Sequence, residues 1–130
     1  MEFILDFENM PDYILIRTSG PADVSGFERL MLALLNSPGW ITGTPQVVDH
    51  RGLDLTVIEP SEVKKVVDII KQSIGGLGNG ICAFVMKDEL GFGFARMYEL
   101  SGGDNLHAKV EVFYSLRDAL AWIKNHKYPI

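Results

Sequence analysis

Apolar and polar side chains alternate through Glu2 to Glu8, with Phe3, Leu5 and Phe7 facing one way and Glu2, Asp6 and Glu8 the other. A period of two marks a half-buried strand. Asn9-Met10-Pro11-Asp12 reads as a turn, and Tyr13 to Thr18 as a second β-rich run. So short a link favours an antiparallel hairpin, because parallel partners need a long crossover. The period then lengthens. Val24, Phe27, Leu30, Met31, Leu34 and Leu35 recur at helical spacing until Ser37-Pro38-Gly39 stops the run. Ser25-Gly26-Phe27-Glu28 has the spacing of a capping box at the start of this helix.

After Trp40 and the loop Thr42 to Pro45, Gln46-Val47-Val48-Asp49 reads as a short buried strand. Pro60 suits a first helical turn, where its missing N–H costs nothing. Val63, Val66, Val67, Ile70 and Ile74 then form one apolar face, and Gly75-Gly76 is expected to end it. Ile81 to Met86 is continuously apolar, as in a central strand covered on both faces. Leu90, Phe94, Met97 and Tyr98 mark a third helix, closed by Gly102-Gly103. Lys109 to Tyr114 is a strand, and Ser115 caps a last helix with Leu116, Ala119, Leu120 and Ile123 inward. The order ββαβαβαβα predicts an α/β fold, a mostly parallel sheet with an antiparallel edge strand. No linker, repeat or low-complexity tract divides residues 1–130, so a single domain is expected.

Composition narrows the function classes. A net charge of −5, with twelve scattered Lys and Arg, argues against nucleic acid as the main partner. No apolar stretch is long enough to span a bilayer, and acids stand where a signal peptide would be basic. The single cysteine, Cys82, lies in the apolar run and gives neither a disulfide nor a metal-binding CxxC spacing. These features suit a cytoplasmic protein, and no cofactor motif is legible.

Chemistry is sought at the carboxyl ends of the strands, where open α/β sheets hold their ligands. There Asp49-His50-Arg51-Gly52-Leu53-Asp54 gathers two carboxylates, an imidazole and a guanidinium. Such a loop supports proton transfer or anion binding. The plainer alternative is an ion pair between Arg51 and Asp49 or Asp54 that fixes the loop. The spacing is not a dependable metal motif. Gly91-Phe92-Gly93 lacks the glycine pattern of a nucleotide loop and equally serves close helix–sheet packing. Arg96, in the third helix, leans towards the same rim as Arg51, or is a plain surface arginine beside Glu99. Gly78-Asn79-Gly80 precedes a strand and reads as a flexible connection. His107 and His126 have no evident partner, and Trp40 and Trp122 read as packing residues at element ends.

The element order resembles that of the bacterial SpoIIAA-like proteins, as do three stretches of sequence. These are Pro38-Gly39-Trp40 through Pro45-Gln46-Val47-Val48-Asp49-His50-Arg51, Gly91 to Met97, and Val110 to Phe113 with Ala119 to Trp122. That family is similar to the STAS domains of anti-sigma-factor antagonists and, more loosely, to the lipid-binding Sec14 domain. The resemblance covers nearly the whole chain. It implies helices mainly on one face of the sheet and a non-enzymatic regulatory or ligand-binding role. In the antagonists a serine or threonine at the start of the second helix is phosphorylated. Here only Ser61 stands near that place, without the usual Asp-Ser pair and between Glu59 and Glu62.

The leading expectation is a module that binds a protein partner or a small anionic or apolar ligand, with Asp49, His50, Arg51 and Arg96 as ligand-binding residues. One alternative is a small enzyme using Asp49, His50 and Asp54. Another is a structural homo-oligomer paired through its sheet edge.

Overall fold

The computed structural model describes residues 1–102 and 105–126. Its strands are β1 (Glu2–Asp6), β2 (Ile14–Pro21), β3 (Gln46–Asp54), β4 (Cys82–Val85) and β5 (Val110–Phe113). Its helices are α1 (Val24–Leu35), α2 (Pro60–Gln72), the single turn α3 (Ile74–Leu77), α4 (Glu89–Leu100) and α5 (Leu116–His126). The strands lie side by side in chain order, β1 antiparallel to β2 and the rest parallel. Right-handed crossovers that always step in one direction put their helices on one face. Accordingly α1, α2 and α4 bury Phe27, Leu30, Val63, Val66, Val67 and Phe94 against Ile14, Ile16, Val48 and Phe84. On the opposite face α5 seats Ala119 and Ile123 over Leu15, Val47, Ala83 and Val85. Covered on both faces, β4 is fully buried, which is why its sequence shows no alternation.

Several local expectations change. The cap of α1 is Asp23, two residues before Ser25. Its carboxylate accepts from Gly26 N–H and also pairs with the Met1 amino group at 3.1 Å. An aspartate bonded to both groups serves the helix start better than a serine. Gly75 and Gly76 do not end the second crossover, because they lie within α3. Gly78 then turns the chain with φ 78°, and a Cβ there would sit 2.5 Å from Gly43 N. The Gly78-Asn79-Gly80 connection is therefore a close crossing of two loops. The expected end of α4 falls partly on Gly103, which lies outside the described residues.

The largest change is in β3, which runs on to Asp54 instead of stopping at Asp49. Arg17 pairs with Asp49 and Ser19 with Gly52, so Thr18 alone faces both His50 and Arg51. This is a β-bulge, a device that bends a strand and re-aims its side chains. Asp49-His50-Arg51 is thus strand, not loop.

Candidate functional site

Strand periodicity separates the residues that the sequence groups together. His50 points to the helical face. It is 3% exposed, stacked on Phe84 at 5.9 Å and set edge-on to Phe27 and Phe94. Its Nδ1 lies 2.6 Å from Thr18 Oγ1. Burial lowers its pKa to about 4, the charge of Asp49 opposing only in part. Asp49 and Arg51 face the other way. There Arg51 Nε and Nη2 donate to the two oxygens of Asp49 at 3.0 and 2.9 Å. Burial raises the pKa of Asp49, but the bonds from Arg51 prevail, and the carboxyl stays below the usual range. The ion pair weighed from the sequence exists, though it spans the bulge of a strand rather than tying a loop.

That geometry bears on each role weighed above. No carboxylate hydrogen-bonds the His50 ring among the described residues, and Asp54 instead binds Thr56 N–H and hydroxyl. Asp49, His50 and Asp54 therefore do not converge as acid, base and orienting group. Arg51 spends its guanidinium fork on Asp49. Arg96 is exposed on α4 and lines neither of the clefts that Arg51 lines. A basic companion of the Asp49–Arg51 pair is Arg17, which stands opposite Asp49 in the β2–β3 register.

A cleft of about 190 Å³ opens at the carboxyl edge between the end of β3 and the start of α4. Its walls include Arg51, Asp54, Thr56, Lys87, Asp88 and Leu90, with His50 at its inner side. The start of α4 is closed by its own cap, the Asp88 carboxylate accepting from Gly91 N–H at 3.1 Å. A Cβ on Gly91 would meet Met86 Cβ at 2.7 Å, whereas one on Gly93 would meet nothing. The first glycine thus serves close packing, and the second does not. Val57 and Leu90 stand on this edge 52% and 48% exposed. Ser61 is exposed at the second residue of α2, whose start is closed by a reciprocal Glu59–Glu62 capping box.

The sequence reading missed a second set of polar residues, near the amino ends of the strands. Gln46 and Cys82 are paired neighbours on the helical face, in a row completed by Ile14 and Val110. Tyr98 hydroxyl lies 2.8 Å from His107 Nε2, so His107 does have a partner. His126 has one as well, its Nδ1 lying 2.8 Å from Trp122 O. Gln46, Cys82, Tyr98, His107 and His50 all line one internal cavity among apolar side chains. Burial raises the pKa of the Cys82 thiol and the Tyr98 hydroxyl, and it lowers that of His107 to about 4. A signal existed for Gln46: it is an amide at the head of the short apolar run Gln46-Val47-Val48. None existed for Tyr98 and His107, which meet only through folding.

No protein-family profile matches the chain, and no curated protein matches it. Among solved structures, an anti-sigma factor antagonist from Mycobacterium paratuberculosis is similar over 95% of both chains. The TM-score is 0.55 and the identity 18%. Strand order, the antiparallel first pair and the near-complete overlap show that this chain has the fold of an anti-sigma factor antagonist.

Proposed function

We propose that this protein is a non-enzymatic regulatory module that acts by binding a protein partner at the carboxyl edge of its sheet. The observation that carries this reading is Leu90, exposed in the wall of the cleft between β3 and α4, with Val57 exposed one residue beyond Thr56 of the same wall. Apolar side chains left in water next to a polar rim are characteristic of contact surfaces. The cleft carries Asp54 and Asp88 against Lys87 and an Arg51 already paired with Asp49. Glu59, Glu62 and Glu89 follow at the starts of α2 and α4, so this edge favours a partner with apolar groups and basic neighbours. The similar solved structure is by its title an antagonist of an anti-sigma factor, and a partner of that kind is consistent with the surface. His50 supports contact rather than chemistry: a sealed imidazole with a pKa of about 4 is a poor base near neutrality.

Phosphorylation would act on this edge through Ser61. A phosphate there would stand between Glu59 and Glu62 and deepen the negative rim, so its effect on a basic partner would be attraction rather than release. For an anionic small ligand, Arg17 is a better companion of Arg51 than Arg96 is, though Asp49 already neutralises much of that charge.

The test is native mass spectrometry of the protein purified gently from its own host, beside a Val57→Asp/Leu90→Asp variant. A stoichiometric protein adduct on the wild type, lost from a variant of unchanged circular dichroism, supports the reading. Retention of that partner by the variant, or a wild type that carries no protein after mild crosslinking, overturns it.

A further inference from the structure

Two departures from ordinary core packing coincide in the interior. The first is a void of about 40 Å³ between the sheet and α1, α2 and α4, bounded by Leu30, Met31, Val66, Phe84 and Tyr98 among others. Protein interiors are close-packed, and few voids exceed a water molecule. The second is a pair of buried polar side-chain atoms without hydrogen-bond partners among the described residues, Gln46 Nε2 and His107 Nδ1. Gln46 is 3% exposed and His107 7%, and both residues line that same void. The Gly80 backbone lies by the His107 ring and favours its protonated form. The amide of Gln46 is therefore the stronger mark.

A leucine or methionine at position 46 would fill space and remove the orphaned donor together. Glutamine there gains nothing from the apo core, since an unmet buried amide costs stability. It gains when something in the void accepts its hydrogen bond. Water is the simplest such guest, and the space suffices for about three at 10–15 Å³ each. A buried water, however, wants two to four polar partners. Among the described residues, His50 and Tyr98 on these walls are engaged with Thr18 and His107, and the Gly80 backbone lies by the His107 ring, which leaves Gln46 Nε2 as the strong donor a guest would find free.

We propose that this cavity is a ligand site for a small neutral molecule, an apolar body of a few heavy atoms with one carbonyl oxygen. The oxygen accepts from Gln46 Nε2, and the body lies against Phe84, Val66 and Met31. Gln46 marks the amino side of the sheet; the cavity shares His50 with the carboxyl-edge cleft, but the proposal does not depend on the protein partner.

The experiment is a methyl and side-chain amide NMR titration of the whole protein with acetone, and separately with xenon, which has the bulk but no oxygen. Wild type is expected to show saturable shifts at Met31 and Val66 with both probes, and at the Gln46 side-chain amide with acetone alone. Gln46→Met should keep xenon binding and lose at least tenfold in acetone affinity. Val66→Ile, which adds a methyl to the void, should weaken both and guards against a Gln46 variant that fails to fold. The proposal is overturned by the absence of saturable acetone shifts in the wild type. Equal acetone affinity in wild type and Gln46→Met also overturns it. Long-lived water signals at the Gln46 amide that acetone does not displace would mean water only, and overturn it as well.

Discussion

Replacing His50 by glutamine should flatten the acid limb of the stability curve by about half. A histidine whose folded pKa is lowered favours folding while neutral, because the unfolded chain takes up the proton first. For His50 the unfolded value is 6.5 and the folded value about 4. Its penalty is therefore absent above pH 6.5, grows as pH falls, and is complete once the folded ring also protonates. At about 1.4 kcal/mol per pKa unit, the interval is worth about 3 kcal/mol. His107 titrates over the same interval, so the two together should steepen the loss to about 2.7 kcal/mol per pH unit. The lowered carboxylates Asp23, Asp49 and Asp54 act in the other range. They hold stability above their usual value of 3.8 and release it only as pH falls further. The window from pH 6.5 to 4.5 thus isolates the histidines. Urea unfolding at half-unit steps across that window gives the slope directly, and His50→Gln keeps a polar group near Thr18. A wild-type curve flat over the window would refute the argument. So would a His50→Gln slope equal to wild type.

Two substitutions in one helix should separate. Gly91→Ala forces a Cβ against Met86 and should cost about 1–3 kcal/mol, while Gly93→Ala meets open space and should gain about 0.5–1 kcal/mol by thermal unfolding. Gly78→Ala meets both a positive φ and the Gly43 backbone, so a loss of at least about 1–2 kcal/mol is expected in the same assay. Arg51→Ala leaves the Asp49 carboxylate, 8% exposed, without its fork and should cost about 1–3 kcal/mol at pH 7. Adding Asp49→Asn should restore part of that loss, a coupling that a double-mutant cycle reads as non-additivity.

The fold was legible because its elements carry distinct periods. Phe3, Leu5 and Phe7 recur every second residue, and Val63, Val66, Val67 and Ile70 recur with a helix. With four parallel strands and short connections, right-handed crossovers leave little freedom in how the sheet is ordered. The end of β3 was not legible for an equally local reason. A charged run, Asp49-His50-Arg51, looks like loop when each residue is judged for burial alone. In a strand, successive residues need not share a face. His50 can enter the core against Phe84 while Asp49 and Arg51 join on the other side.

The bulge decides which of these groups can ever work together. Thr18 opposite two residues of β3 is the point at which an imidazole is sent inward and an arginine outward. A loop of the same composition could have gathered Asp49, His50 and Asp54 round one substrate. A bulged strand instead divides them between the two faces and an exposed turn. What remains near His50 is a threonine and three aromatic rings, a setting that holds the ring neutral. The same alternation that takes His50 out of an acid–base site puts Gln46, four residues earlier, on the same helical face. Along that face the strand offers Gln46, Val48 and His50, so both polar ends of the inner surface of β3 come from one register. A one-residue change in register would turn all three to α5 and abolish the cavity and the buried imidazole together.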